Sequence, residues 1–319
     1  MNEEKKRQPY YNTRMKITPS YLSKRDIVTI VAPAGKLPNR GSLDSAIQTL
    51  QFWGLEVQLG KYLFCQHHSF SGTDEERLSD LQNALDNPKI KAIFCARGGY
   101  GCNRIVDKID FSAFQKSPKW LLGFSDITML LSHINNLGFE SIHCSMPNLF
   151  SAPKATKSVE SIRKILFGKS WILESDLPHQ FNKMGKASAE IVGGNLSILN
   201  NSLGTKSEIN TKNKILFIEE VGEYIYHIDR MFTHLLRARK LEKLAALVIG
   251  QVSEIKENSN NPFGQSVEEL IAEKLKDFNF PICFNFPIGH QAKNLPVICG
   301  RKATLEVNNQ GGKITFAKS

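Results

Sequence analysis

The sequence predicts an α/β protein of two unlike domains, the first of them built on a parallel sheet. Over the first 150 residues, apolar β-branched runs alternate with stretches whose apolar residues recur at helical spacing. The second half mixes strands and helices in a different order and shows no internal repeat. Strand and helix in alternation indicate βαβ units, whose strands lie parallel in one sheet.

The first half supplies these elements in order. The run DIVTIVAPAG is rich in β-branched residues and closes on proline and glycine, as a buried parallel strand does. Helices are predicted where apolar residues share one helical face, and the last of them has Asp126 as its N-cap and Gly138 as its stop. The predicted strands lie within 26–35, 91–99 and 120–126, and the predicted helices within 42–54, 74–87 and 126–138.

Composition shifts divide the chain into four parts. Between the two halves lies a polar stretch without clear period, which we interpret as the crossing between domains. The predicted divisions are a basic tail over 1–25, an N-terminal α/β domain over 26–150, a linker over 151–188 and a C-terminal α/β domain over 189–319.

The formal net charge of +10 suggests a nucleic-acid partner, but its distribution argues against one. The first 25 residues carry seven basic and two acidic side chains, which is half of the excess. A short basic tail is more often a solvated extension than a binding device, and the rest of the chain lacks interleaved basic and aromatic residues. We therefore expect no nucleic-acid partner.

The lengths of the apolar runs and the spacing of the cysteines indicate the cellular compartment of the protein. No run approaches 18 consecutive apolar residues, and the N-terminus lacks the apolar core of a secretory signal. The six cysteines show no CxxC spacing, which favours reduced, mostly buried thiols over a zinc site. We expect a cytoplasmic protein without a membrane partner and without a metal.

Three reactive side chains follow predicted strands, where open α/β sheets bind their ligands. Ser125 lies in the turn Gly123-Phe124-Ser125-Asp126, which resembles a nucleophile elbow without its second glycine. The pair Glu219-Glu220 ends the run KILFIEE, and His290 follows Gly289 after ICFNFPI. In the order Ser, Glu, His they offer a nucleophile, an orienting carboxylate and a base.

Each of these features also has a plain structural interpretation. Ser125 or Asp126 can serve only as a helix N-cap, His290 can be an ordinary hydrogen-bonded histidine, and the glutamates can be a solvated strand end. Neighbours in a strand point to opposite faces, so one glutamate faces the cleft. If both faces are covered, alternation cannot choose between Glu219 and Glu220.

A fourth element is the glycine turn Arg97-Gly98-Gly99-Tyr100-Gly101, which follows KAIFCA. Consecutive glycines let a ligand approach the backbone closely, as a phosphate cradle or as an oxyanion donor. The turn lacks both GxGxxG spacing and the Lys-Ser/Thr of a P-loop, so nucleotide binding has little support.

Six motifs in order resemble those of one family, the LD-carboxypeptidases. These are bacterial serine peptidases that trim muropeptides, and the microcin C self-immunity peptidases are their relatives. The resemblance spans about residues 26–307. It rests on VAPAG (31–35), RGGYG (97–101), GFSDIT (123–128), GGNLS (193–197), LFIEEVGEYIYHIDRM (216–231) and IGH (288–290).

The resemblance implies a Ser-His-Glu triad of Ser125, His290 and Glu219, the first acid of its strand. It implies an oxyanion hole formed by the backbone N–H groups of Gly99 (or Gly98) and Asp126. It also implies a flavodoxin-like N-terminal domain, a smaller C-terminal α/β domain with a mixed sheet, a homodimer and no cofactor. The expected reaction releases terminal D-Ala from the L-centre of the third-position diamino acid in murein tetrapeptides.

The groups that bind the substrate are less defined. The expected contacts are Gly98 and Tyr100 of the glycine turn, Asn195 of GGNLS and Arg230 of the IDRM motif, with Arg97 as another cation for the terminal carboxylate. Many members of the family have HGPM where this chain has HCSMP (143–147), which bears on substrate preference. Alternatives are an amidase acting on peptidyl-nucleotides or recycled dipeptides and, more distantly, a non-enzymatic binding module.

Overall fold

The computed structural model describes residues 16–175, 177–258 and 260–318, and most of the predicted basic tail lies outside them. Two sheets are formed by thirteen strands: β1 Ile27–Val31, β2 Glu56–Leu59, β3 Ile90–Cys95, β4 Trp120–Gly123, β5 Ser141–His143, β6 Ile172–Glu174, β7 Gly185–Asn195, β8 Ile215–Val221, β9 Ala246–Ser253, β10 Ile282–Cys283, β11 Val297–Cys299, β12 Lys302–Asn308 and β13 Gly311–Phe316. The α-helices of the described chain are α1 Asp44–Phe52, α2 Asp74–Asp86, α3 Cys102–Ile105, α4 Ser112–Lys116, α5 Thr128–Asn136, α6 Thr156–Leu166, α7 Leu196–Asn201, α8 Ile225–Arg237 and α9 Val267–Lys274.

The first sheet has the order β11-β5-β4-β3-β1-β2. Its five N-terminal strands are parallel, which confirms the predicted sheet, and β11 joins the edge antiparallel to β5. One face is covered by α1 and α6, and the other by α2, α4 and α5. Because both faces of β1, β3 and β4 are buried, these strands are largely apolar without alternation, whereas β2 at the edge is mostly exposed.

The second sheet is mixed, also as expected. Its order is β10-β9-β8-β7-β12-β13-β6, with β7 to β10 parallel and the remaining strands antiparallel. Apolar side chains of α8 and α9 cover one face, including Phe232, Leu235 and Leu270. The other face packs around Phe217, Phe286 and Leu305. Both faces of β8 are therefore buried.

The segment 151–188, predicted as a linker, is more regular than its composition suggests. Its helix α6 buries Ile162 and Ile165 in the core of the first domain. Its strand β6 pairs with β13 at the edge of the second sheet. The polar residues that obscured the period belong to the exposed face of α6 and to the turns around β6.

The two domains are in close contact where β7 ends and α5 begins. A Cβ on Gly194 would lie 2.5 Å from Thr128, and the N–H of Asn195 donates to Thr128 Oγ1 at 3.1 Å. Thr128 is the first residue of α5, three positions after Ser125. The start of α5, the helix that follows Ser125, is thus held against the second sheet.

A buried ion pair joins the domains at the opposite end of α5. Arg301 donates to Glu140 through both Nε and Nη2, the latter at 2.5 Å, and both side chains are almost fully buried. The same guanidinium donates to Tyr21 Oη at 3.2 Å and contacts Thr18 Oγ1. This cluster ties the N-terminal segment and both domains together.

Among the described residues no helix is both long and apolar enough to cross a membrane. Within the same ranges no group of three or more His, Cys, Asp or Glu side chains is placed to hold a metal ion. All six cysteines are unpaired, and only Cys65 is partly exposed. The thiols are therefore part of the packing.

Replacing Arg301 by Ala should lower the free energy of unfolding by about 3–5 kcal/mol, because it leaves the Glu140 carboxylate buried without its partner. Urea denaturation followed by circular dichroism measures the change. The control is Lys313→Ala, which removes a partner of Glu174 from a solvent-exposed pair and should change stability little. Equal effects of the two substitutions would contradict the assignment of Arg301.

Candidate active site

The turn after β4 holds Ser125 in a strained conformation. β4 ends at Gly123, and Ser125 has a φ of 60°, which is uncommon for a residue with a side chain. A short 3-10 turn over Ser125–Ile127 then leads into α5. A Cβ on Gly123 would lie 2.8 Å from Ile127 Cγ2, so this fold-back requires glycine. The turn therefore fixes Ser125 at the carboxyl edge of the first sheet.

The glycine turn lies directly against this serine. A Cβ on Gly98 would lie 2.9 Å from Ser125 Cβ and 3.1 Å from Ser125 Oγ. Gly99 has a φ of 103°, which favours glycine, and the N–H of Gly35 donates to Gly98 O at 2.9 Å. The VAPAG, RGGYG and GFSD motifs, distant in sequence, are thus in contact.

Glu219 and His290 form a hydrogen-bonded pair. His290 Nδ1 lies 2.7 Å from Glu219 Oε2; the carboxylate is fully buried and the imidazole is 18% exposed. An ionised carboxylate only accepts hydrogen bonds, so this contact holds the proton on Nδ1. Nε2 is then the nitrogen available to accept a proton.

An irregularity in the sheet aims Glu219 at the histidine. The pairing of β8 with β9 shifts register between Ile218 and Glu220, so that β9 has an extra residue opposite Glu219. Gly250 and Gly289 approach closely there, and a Cβ on either would lie within 3.3 Å of Glu219 Cβ. The glycines make room for the side chain of Glu219 beside the turn that bears His290.

Glu220 has a different environment. Its carboxylate accepts from Asn195 Nδ2 at 2.9 Å and from Ser197 N and Oγ at 2.8 and 2.6 Å. It therefore holds the first turn of α7 against β8. The alternation of side chains along the strand could not distinguish Glu219 from Glu220. In the structure, Glu219 is the one that bonds to His290.

The surroundings shift the pKa of both partners. Burial raises the pKa of Glu219, against the opposing effect of its hydrogen bond to His290. Burial disfavours the charged form of His290, but the hydrogen bond and charge of Glu219, with the charges of Glu220 and Glu254, outweigh it and raise the pKa of His290. The carboxylate thus stabilises an imidazolium at this position.

Aromatic packing brings the pair beside the serine turn. The rings of Phe124 and His290 have centroids 4.7 Å apart, and Phe124 immediately precedes Ser125. Phe124 also packs on His143, a fully buried residue whose pKa burial lowers to about 3 and which is therefore neutral. Phe124 thus brings the turn of Ser125, from the first domain, next to the pair of His290 and Glu219 from the second.

Two of the other expected contact residues are exposed. Tyr100 is 51% exposed, with its ring near Phe70. Arg230 lies on the solvent side of α8 with its guanidinium 5.5 Å from the centre of the Tyr226 ring. Both side chains are therefore open to solvent.

The other two already have internal partners. Arg97 donates from Nη1 to Lys36 O at 2.7 Å. Asn195 is buried and is the N-cap of α7, where its Oδ1 accepts from Ile198 N at 3.3 Å. Its amide group therefore has a structural role at the helix start.

Asp126 differs from its prediction as an N-cap. The 3-10 turn places Ile127 at the N-cap of α5, without a side-chain bond, so that prediction is wrong. The Asp126 carboxylate instead points back and accepts from Cys102 N at 2.8 Å, just after the glycine turn. The intervening 3-10 turn, which the sequence pattern does not show, is the physical reason.

Arg77 is a residue that sequence reasoning missed. It is fully buried on α2 and donates from Nη1 to Pro33 O at 2.5 Å and to Gly101 O at 3.1 Å. Its signal was present, because Arg77 shares the helical face of the buried residues Leu81 and Ala84. An arginine on an apolar face needs internal partners.

Family models match both halves of the chain. A model described as the LD-carboxypeptidase N-terminal domain matches residues 28–144. A model described as the LD-carboxypeptidase C-terminal domain matches residues 188–305. The two models contain the turn of Ser125 and the pair of Glu219 and His290, respectively.

Two curated relatives align with this chain over almost their whole length. A probable murein peptide carboxypeptidase of Bacillus subtilis (strain 168) is 35% identical over 297 residues, which cover 90% of this chain and 91% of the relative. A murein tetrapeptide carboxypeptidase of Pseudomonas aeruginosa is 30% identical over 294 residues, covering 88% and 93%.

Solved structures share the fold. A muramoyltetrapeptide carboxypeptidase from Oxalobacter formigenes has a TM-score of 0.82 at 25% identity, covering 91% of this chain and 98% of that one. A microcin C7 self-immunity protein in complex with aspartyl sulfamoyl adenosine has a TM-score of 0.83 at 23% identity, covering 95% and 98%.

Replacing Glu219 by Gln should lower the pKa of His290, because burial then acts on the imidazolium without its charged partner. NMR titration of the imidazole nitrogens measures this pKa in the folded protein. Glu254→Gln is the matched control, since it removes an exposed acid with a lesser effect on His290, and its shift should be small. Equal shifts in the two variants would show that Glu219 is not the dominant partner.

Proposed function

The chain belongs to the LD-carboxypeptidase family and is a serine-type carboxypeptidase, and from this premise we propose that Ser125, His290 and Glu219 form its catalytic triad. The observation that carries the proposal is the 2.7 Å contact between His290 and the buried Glu219, beside a serine held at positive φ. A nucleophile, a base and an orienting acid are then available on neighbouring turns.

In this mechanism Ser125 Oγ attacks the scissile carbonyl carbon while His290 Nε2 takes the hydroxyl proton. The carbonyl electrons move to the oxygen, and the tetrahedral intermediate collapses when His290 returns the proton to the leaving amine. Water then attacks the acyl-enzyme by the same route. Glu219 keeps the proton on Nδ1 and stabilises the imidazolium formed in both steps.

The developing oxyanion would be bound by the backbone N–H groups of Gly99 and Asp126. Gly99 lies in the turn that contacts Ser125 through Gly98. Asp126 lies in the first turn of the 3-10 segment, where N–H groups have no partner within the helix. Donors aimed at that oxygen contribute most when they are fixed before the reaction.

The proposed substrate is a murein tetrapeptide, cleaved between the L-centre of its third-position diamino acid and the terminal D-Ala. The relatives named above as murein peptide and murein tetrapeptide carboxypeptidases support this choice. As the family likeness implies, we place the enzyme in the cytoplasm as a homodimer. Gly98 and Tyr100 would line the site and Arg230 would bind the terminal carboxylate, whereas Asn195, also expected at the site, would support it from within through Glu220.

A peptidyl-nucleotide is the second candidate substrate. A solved structure with the same fold, that of a microcin C7 self-immunity protein, is in complex with aspartyl sulfamoyl adenosine. The same triad cleaves either amide, so the surrounding contacts decide between the two.

Replacing Ser125 by Ala should abolish release of D-Ala from a disaccharide tetrapeptide, because the reaction loses its nucleophile. Liquid chromatography with mass spectrometry of the tripeptide product measures the activity. Ser132→Ala is the matched control, a buried serine on the following helix, and it should keep full activity. Undiminished turnover by the Ser125 variant would refute the triad.

Wild-type enzyme supplied in parallel with an aminoacyl sulfamoyl adenosine distinguishes the two candidate substrates. If the substrate is a murein tetrapeptide, we expect kcat/KM for the tetrapeptide to exceed kcat/KM for the aminoacyl sulfamoyl adenosine by orders of magnitude. Preferential cleavage of the nucleotide would establish the second candidate instead.

Replacing Arg230 by Gln should raise KM for the tetrapeptide about tenfold or more, with kcat retained, since a hydrogen bond to a charged group contributes about 1.5–3 kcal/mol. Steady-state kinetics measures both constants. Arg237→Gln removes an exposed arginine two turns further along α8 and should leave KM unchanged. An unchanged KM in the Arg230 variant would exclude this residue as the carboxylate partner.

A further inference from the structure

A buried network of charged side chains contacts the residues at the end of the glycine turn. We propose that Asp126 and Arg77 are positioning residues that lock the glycine turn to the serine turn and so fix the two oxyanion donors relative to each other. The proposal rests on the proposed function and adds two side chains that do not touch the substrate. Three sets of contacts carry it.

The first contacts are those of Asp126. Its backbone supplies one proposed oxyanion donor, while its carboxylate, almost fully buried, accepts from Cys102 N at 2.8 Å and also bonds the N–H of Gly101. Gly101 and Cys102 directly follow the turn that contains Gly99, the other donor. One residue thus carries a donor on its main chain and holds the second donor's loop with its side chain.

The second contacts are those of Arg77, which binds the same loop from the opposite side. Its Nη1 donates both to Gly101 O and to Pro33 O, and its Nη2 pairs with Asp74. Pro33 belongs to the VAPAG turn, whose Gly35 donates to Gly98 O at 2.9 Å. The glycine turn is therefore held at Gly98 by one neighbour and at Gly101 by two.

The third contacts are those that leave the turn no room to relax. A Cβ on Gly98 would lie 2.9 Å from Ser125 Cβ, and a Cβ on Gly101 would lie 2.6 Å from Arg77 Nη1. The turn is thus confined between the nucleophile and the guanidinium. Donors must lie about 2.7–3.1 Å from an oxyanion, and misplacement by 1 Å costs about a hundredfold in rate.

Arg77 serves two acids of this network, because its guanidinium pairs with Asp74 and its charge also acts on Asp126. Burial raises the pKa of Asp126, and the N–H and S–H groups of Cys102 together with the charge of Arg77 oppose that effect. Burying two ionised groups seldom adds stability compared with apolar residues of the same shape. We attribute the presence of Asp126 and Arg77 beside the glycine turn to the geometry that they impose on it.

The test compares Asp126→Asn and Arg77→Lys with the wild type on the tetrapeptide. The amide of Asn places an N–H₂ group or a weaker acceptor before the N–H groups of Gly101 and Cys102. Lysine has one nitrogen in place of the two with which Arg77 contacts the Pro33 and Gly101 carbonyls and Asp74. We expect kcat to fall about 10- to 100-fold in each variant with KM within twofold, because only transition-state binding is lost. Calorimetry measures the fraction of each variant that is folded, and kcat is calculated from the concentration of folded protein.

The controls match burial and chemistry. Asp80→Asn changes a buried acid on the same α2 helix that accepts from Tyr62 N at 2.8 Å, and Arg301→Lys changes a buried arginine of the domain joint. Both should lower the melting temperature while leaving kcat unchanged. A purely structural role for Asp126 and Arg77 predicts the same outcome for them, and that result would overturn the proposal.

The rate of covalent labelling of Ser125 by a fluorophosphonate gives a second readout that needs no peptide. Formation of the Oγ–P bond with loss of fluoride also develops an oxyanion, so both variants should label at least tenfold more slowly. If the wild type is labelled but releases no D-Ala, the proposed substrate fails while this comparison still decides the inference. If the Asp126 and Arg77 variants are labelled at the same rate as the wild type, the inference about these two residues is overturned, while the proposed function is unaffected.

Discussion

The close packing of Gly194 on Thr128 is the constraint on which the geometry of the site depends. Asn195, next to Gly194, pairs in register with Glu219 of β8, and Thr128 follows Ser125 by three residues. The turn of Ser125 and the strand of Glu219 are therefore linked by a backbone-to-side-chain contact. A side chain at Gly194 would clash with Thr128. Glycine at this position therefore lets β7 and the start of α5 approach each other closely.

A consequence is that the site is divided between two rigid sheets. The first domain supplies the strained serine and the glycine turn; the second supplies the hydrogen-bonded pair of Glu219 and His290. Phe124 spans the division by packing on the His290 ring. The pairing of β11 with β5 adds backbone hydrogen bonds between chain halves.

Much of this could be predicted from the sequence, because apolar periodicity and strand-end position are local. The parallel first sheet and the mixed second one followed from those patterns and the family motifs. The choice of Glu219 over Glu220 did not follow from alternation, because both faces of β8 are buried and a register shift in β9 re-aims the side chain. Strand β11 is three residues long and forms only through its partner β5, so no local signal marks it. The buried partners of Asp126 and Arg77 are likewise tertiary.

The two neighbouring acids of β8 show how one strand end serves both fold and chemistry. Glu220 has its oxygens filled by Asn195, Ser197 and the N–H of Val221, which makes it a fixed support for α7. Glu219 spends one oxygen on His290 and keeps Oε1 buried without a protein partner among the described residues. An unsatisfied buried acceptor destabilises a fold by about 1–3 kcal/mol, so stability alone would not select it. The hydrogen bonds to Glu220 stabilise its ionised form and direct its charge to α7, whereas Glu219 directs its one hydrogen bond to His290 and raises the pKa of that imidazole.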